Sequence, residues 1–214
     1  MRYRDRREAG RRLADAIQDA ALFEVGERVL ILGVPRGGVP VAALVADRFG
    51  AELDVLVAHK LGAPQNPEFA IGAVAEDGTT ILDAALIERH GISAEYVAHE
   101  IRTQRGHVEV RARFLRGGRD PIPATGRTCV VVDDGVATGS TLEASLRLVL
   151  RSGATRVIAA VPVGPPETIL RLGGIVETVV CPIQPESFFA VGAWYDNFAQ
   201  VSDETVVAIL SGGG

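Results

Sequence analysis

Asp133 and Asp134 are adjacent carboxylates, and a run of small and hydroxyl-bearing residues follows them: Ala137, Thr138, Gly139, Ser140 and Thr141. Two neighbouring carboxylates can accept hydrogen bonds from a vicinal diol. Backbone N–H groups and hydroxyls at the start of a helix attract an anion, because the helix dipole leaves positive charge there. Gly139 has no Cβ, so an anion can approach its backbone closely. A diol acceptor beside a phosphate cradle describes a site for a ribose 5-phosphate. The plain alternative, a strand–turn–helix with an acidic cap, leaves most of the string unexplained.

A second loop has similar chemistry. Gly33-Val34-Pro35-Arg36-Gly37-Gly38 follows an apolar run and precedes an apolar helical pattern. Gly37 and Gly38 let backbone N–H groups turn toward an anion, and Arg36 adds a planar donor suited to phosphate. Lys60 is the only lysine in the chain. A compact, flexible point charge can follow a phosphate group that moves during a reaction. His59 beside it reads equally well as a strand-end histidine or as a ligand.

The elements that must position these residues are strands followed by helices. Val130-Val131-Val132 is a β-branched run of the kind buried on both faces of a parallel sheet. Leu142, Ser145, Leu146, Val149 and Leu150 then recur at helical spacing. Further strands are expected near residues 29, 54, 71, 130, 157 and 177, all in one parallel sheet. The segment LGAPQNPEFAIG after Lys60 reads as a loop, with Glu68 as a solvated acid in it. Asp77-Gly78 reads as a hairpin turn. Residues 5–21 read as an amphipathic packing helix. Ser93 caps a long helix reaching about Leu115, whose arginines (Arg102 to Arg119) read first as a solvated basic face. A subunit contact or an anion-attracting rim is the alternative.

Composition narrows the classes. The chain has 214 residues, 47% of them hydrophobic and only 5% aromatic, which suits a parallel sheet packed with Val, Leu, Ile and Ala. A net charge of −5 argues against general nucleic-acid binding. No apolar run reaches the roughly 20 residues of a membrane span, and the charged N-terminus is unlike a signal peptide. Cys129 and Cys181 make no metal spacing and read as buried, reduced thiols, as in the cytoplasm.

The string VVVDDGVATGST resembles the phosphoribosyl pyrophosphate (PRPP) motif of type I phosphoribosyltransferases. That resemblance implies a Rossmann-like central parallel sheet with a small hood, a PRPP site and Mg²⁺. It makes Asp133 and Asp134 the ribose ligands, contacting metal through water, and makes Ala137 to Thr141 the 5′-phosphate cradle. Pro35, Arg36, Gly37 and Gly38 resemble the family's pyrophosphate loop, where a cis or strained peptide often occurs. Lys60 and Arg36 become the candidate catalytic cations, and the loop after Lys60 resembles a closing flap. FFAVGAWYDNF resembles the hood of hypoxanthine-guanine transferases. It implies a planar base on Phe189, with Trp194 and Tyr195 beside it and Asp196 toward a second metal. A packing cluster is the alternative for these aromatics.

Two departures leave the base open. Ala137 replaces the acid of the purine-salvage members, and no second lysine exists to read the base. One domain is expected over 1–214, its core near 22–181 and its hood near 182–200, with the N-terminal helix as a candidate addition. The expected partners are PRPP and a small planar base, with no membrane or nucleic acid; a homodimer is compatible. The alternative function is a regulator that senses PRPP or a nucleotide on the same fold.

Overall fold

The structure, a computed structural model, describes residues 2–64 and 66–212, and of Pro67 and Glu68 the backbone alone. The proposed role of Glu68 therefore lies outside what is described. Five short strands form a parallel sheet: β1 (Val29–Gly33), β2 (Glu52–Val55), β6 (Thr128–Val132), β7 (Arg156–Ala160) and β8 (Thr178–Val180), in the order β2-β1-β6-β7-β8. The strand leading into the acid pair, β6, is central and buried throughout, as its apolar run Cys129–Val132 requires.

Alternation along the strands sends side chains into two cores. On one face Leu30, Leu32, Val131 and Val157 meet Leu142 and Leu146 of helix α5 (Ser140–Arg151) and Leu172 of α6 (Pro166–Gly173). On the other, Ile31, Val130, Val132 and Ile158 meet Leu13 and Ile17 of α1 (Arg6–Asp19) and Val41 and Val45 of α2 (Gly38–Phe49). Helix α1 thus belongs to the core layer, which starts earlier than residue 22. Its first turn also reaches the hood, through Arg6 to the Ala199 carbonyl and through Ala9 in a cluster with Tyr3 and Tyr195.

The strand expected near residue 71 is not in the parallel sheet. It is β4 (Asn66–Ala75), the middle of a separate antiparallel sheet with β3 (Ala58–Ala63) and β5 (Thr80–Leu82). The physical reason is reach: a parallel neighbour needs a crossover of a dozen or more residues, and the connection between β3 and β4 is far shorter. The segment read as a loop is therefore mostly hairpin, and His59 and Lys60 lie inside β3 rather than at a strand end. The Asp77-Gly78 turn joins β4 to β5 as expected. Helix α3 (Ala84–Arg89) and the long α4 (Ala94–Leu115) follow, with Ser93 Oγ accepting from the Tyr96 N–H. Leu61, Ile71 and Val74 of the small sheet pack on Val97, Val108 and Leu115. Helix α7 (Asp203–Leu210) closes this cluster through Val206 and Leu210. Among the described residues no helix is long and apolar enough to cross a membrane.

Candidate functional site

The two loops that follow β1 and β6 lie against each other at the carboxyl end of the sheet, where open α/β proteins bind ligands. Their contact is so close that only glycine fits. A Cβ on Gly37 would stand 1.9 Å from Asp134 Oδ2, and one on Gly38 would stand 2.6 Å from the Val132 carbonyl oxygen. The peptide between Pro35 and Arg36 is cis. Helices α2 and α5 start at Gly37 and Gly139, and neither start carries a side-chain cap. By contrast, Asp5, Asp83, Ser93 and Ser202 cap α1, α3, α4 and α7. In α2 the Gly38 and Val39 amides donate to the Val34 and Arg36 carbonyls, so it is the first amides of α5 that are left for another acceptor.

Helix α6 braces the second loop from behind. Thr168 Oγ1 donates to the Ala137 carbonyl at 2.8 Å, and Arg171 donates to the Thr138 carbonyl and to Glu143. Those loop carbonyls are engaged and do not face an incoming anion. Gly139 holds φ at +76°, a conformation that costs any side-chain-bearing residue. Ala137, Thr138, Ser140 and Thr141 are exposed, with Thr138 Oγ1 and Ser140 Oγ 3.5 Å apart.

The acid pair sits on the floor. Asp133 Oδ1 accepts from the Asp134 N–H at 2.8 Å. Part of the Asp133 residue surface is open, yet its carboxyl is deep. Desolvation, and then the charge of Asp134, push its pKa well above the usual carboxylate range. Desolvation also raises Asp134, against a lowering by Arg6. Arg6 Nε donates to Asp134 Oδ2 at 2.8 Å, a partner 128 positions away in sequence. Nothing in the sequence sets Arg6 apart from Arg2, Arg4, Arg7, Arg11 and Arg12 around it. Arg171 was missed for a related reason, since its role is to hold a backbone carbonyl.

Arg36 is half-exposed, and its Nη1 lies 3.8 Å from Asp203 Oδ1 on α7. Asp203 is itself clasped by Arg111 of α4. Lys60 stands on an exposed stretch of β3, opposite Ala73. In the hood, Phe189 is 95% exposed, while Phe188 and Trp194 stack with ring centroids 6.3 Å apart. Tyr195 is different from its neighbours. It is buried against Tyr3 and Phe198, and its hydroxyl donates to the Asp134 carbonyl. Its ring is committed to packing, which leaves Phe189 and Trp194 as the candidate base platform. Asp196 is exposed, and its N–H donates to the Tyr3 carbonyl at 2.8 Å.

Asp133 and Asp134 offer the hard oxygen donors that Mg²⁺ prefers, and such an ion is commonly held by one or two carboxylates plus substrate oxygens and water. Among the described residues no group of three or more His, Cys, Asp or Glu is placed to hold a metal. The remaining ligands would have to come from the substrate. A cleft of about 600 Å³ opens elsewhere, beside α4 and residues 118–125, but Arg116, Asp54 and Glu76 at its floor are already paired.

An open parallel sheet with an acid pair and glycine loops at its carboxyl end belongs to the class of α/β proteins that take ligands at that end. The phosphoribosyl transferase domain model matches residues 5–197, and the chain belongs to that family. It is 45% identical over 208 residues to a protein of Mycobacterium tuberculosis, found in strains CDC 1551 and H37Rv and named as a candidate phosphoribosyl transferase. The match covers 97% of this chain and 46% of those relatives, so the chain spans about half their length. The crystal structure of TT1426 from Thermus thermophilus is also similar, with 45% identity, a TM-score of 0.86 and 98% of each chain covered.

Proposed function

We propose that this chain transfers ribose 5-phosphate from PRPP to a ring nitrogen of a planar base, with Mg²⁺, and releases pyrophosphate. The observation that supports this is the close apposition of loops 35–38 and 133–141, with the Asp133–Asp134 pair against Gly37 and Gly38 and ahead of the uncapped start of α5. The base nitrogen would form its bond to the anomeric carbon as the bond to pyrophosphate breaks. The electron pair leaves with pyrophosphate, and the base gives up its proton. Asp133 and Asp134 would hold the ribose hydroxyls, residues 137–141 the 5′-phosphate, and Pro35, Arg36, Gly37 and Gly38 the pyrophosphate. Asp133 and Asp134 would hold Mg²⁺ through water, and the ion would supply positive charge that offsets the charge of PRPP. Arg36 and Lys60 would stabilise charge on the departing group. Phe189 and Trp194 would stack on the base, and Asp196 would face the metal side. Both cysteines are free and buried, which suits a reducing cytoplasm.

The hood offers exposed aromatics but no lysine to read a base edge, and this favours a second reading as a PRPP or nucleotide sensor. Pyrophosphate release from PRPP and Mg²⁺ across purines, pyrimidines and small heterocycles separates the two. Release with at least one base is expected. Lys60→Ala should then lower turnover more than PRPP affinity, because the charge acts mainly on the leaving group. Tight PRPP binding with no release for any base would instead make the protein a sensor.

A further inference from the structure

Arg6 occupies the first position of α1, where the helix dipole disfavours a cation. Its position has to be compensated by long-range partners, and three converge on it. Nε donates to Asp134 Oδ2 at 2.8 Å, Nη1 donates to the Ala199 carbonyl at 2.7 Å, and the guanidinium carbon stands 3.9 Å from the Phe198 ring centroid. The side chains of Arg6 and Asp134 are each only 13% exposed. Neighbouring Glu8 pairs with Arg4 and Arg12 instead.

A guanidinium is planar, so fixing Nη1 on Ala199 and the ring face on Phe198 also fixes the direction of Nε. The orientation of the Asp134 carboxylate follows from this. Oδ2 is enclosed between Arg6 and Gly37, whose absent Cβ would stand 1.9 Å from Oδ2 but 3.2 Å from Oδ1. The Asp133 carboxyl lies beside that of Asp134, and among the described residues no donor hydrogen-bonds Oδ1, which makes it the acceptor available to a hydroxyl. The Tyr195 hydroxyl, donating to the Asp134 carbonyl, pins the same residue at its backbone.

We propose that Arg6 is a positioning residue for sugar recognition: it aims Asp134 Oδ1 at a secondary hydroxyl and so sets the preference for ribose over deoxyribose in the 5-phosphate site. This rests on Asp133 and Asp134 being the ribose acceptors. The N-terminal helix then contributes to specificity without touching substrate.

Calorimetric titration of the full chain in EDTA tests this, with ribose 5-phosphate, its 2-deoxy and 3-deoxy analogues, and inorganic phosphate as probes. The wild type should bind ribose 5-phosphate about tenfold more tightly than at least one deoxy analogue, as expected for one hydrogen bond to a charged acceptor. Arg6→Gln and Arg6→Lys should narrow that ratio to about two- or threefold, since neither restores the fork that fixes the carboxylate, and leave phosphate affinity unchanged. An unchanged ratio in both variants overturns the proposal. So does a parallel loss of all four ligands, which would make Arg6 a purely structural residue. A wild type that binds ribose and both deoxy sugars equally overturns the ribose role of the acid pair itself, and is distinguishable because it shows before any substitution.

Discussion

At the scale of single residues, the two adjacent aspartates are both raised in pKa by desolvation, but only Asp134 has a cation beside it. Asp133 has a deep carboxyl whose pKa is raised by desolvation and by Asp134. A carboxyl with a raised folded-state pKa holds its proton more tightly folded than unfolded. The fold is therefore penalised as pH climbs above the unfolded value of about 3.9. Asp133→Asn removes that penalty and keeps an oxygen for the Asp134 N–H. The variant should gain roughly 1 kcal/mol at neutral pH, a gain that fades toward about pH 4, while binding of ribose 5-phosphate weakens. Thermal melts across pH check it, and a gain that persists at low pH would contradict the cause given. Asp134→Asn instead leaves the Arg6 guanidinium without its counter-charge and should lose roughly 1–2 kcal/mol. This is stability given up at the proposed ribose position, and the sequence could not weigh it because the burial of Asp133 and the partner of Asp134 come from distant elements.

At the scale of elements, the strand–loop–helix units were legible because a β-branched run, a glycine turn and a helical apolar repeat coincide in each. The small antiparallel sheet was not. Pro64, Pro67, Gly62 and Gly72 make residues 61–72 look like loop. Yet β5 pairs only with Gly72 to Val74 of β4, so the proline-bearing end of β4 has a single neighbour and tolerates a missing N–H. Two register shifts around Gly62 absorb the remaining irregularity. Of the arginines along and after α4, Arg102, Arg105, Arg113 and Arg119 are exposed as expected, but Arg111 and Arg116 pair with other elements, which periodicity cannot show. Arg116 is 3% exposed, and its Nε donates to Asp54 Oδ1 at 2.7 Å. It also donates to the Val55 carbonyl at 2.9 Å and to Glu76, tying the end of α4 to β2 and to the turn after β4. Arg116→Ala would strand two carboxylates and should cost about 3–5 kcal/mol, with Arg116→Lys recovering part. Urea denaturation reads this as a lower midpoint with an unchanged slope; a loss below about 1 kcal/mol would mean that water already solvates the pair.

At the scale of the whole molecule, the chain's first residues close onto its last third. Tyr3 is fully buried and sits in a cluster with Ala9, Val163 and Tyr195. Its N–H donates to the Trp194 carbonyl at 2.9 Å, its own carbonyl accepts from Asp196, and its hydroxyl donates to the Pro162 carbonyl at 2.9 Å. An arginine-rich N-terminus gives no sign of this, since one tyrosine among charges has no periodicity to read. The consequence is that the hood is held from the opposite end of the chain. Tyr3→Phe loses one hydrogen bond, about 1 kcal/mol, whereas Tyr3→Ala loses the ring and should cost about 3–5 kcal/mol. Trp194 is the only tryptophan, so its emission reports the hood directly. In the wild type, the emission and the far-ultraviolet dichroism should follow one denaturation curve, as for a single cooperative unit. In Tyr3→Ala, the emission should shift to the red at lower denaturant while the dichroism persists, because the hood opens before the sheets do. If the two signals still coincide in Tyr3→Ala, the hood docks on the core without Tyr3, and the Arg6 contacts to Phe198 and Ala199 are enough to hold it.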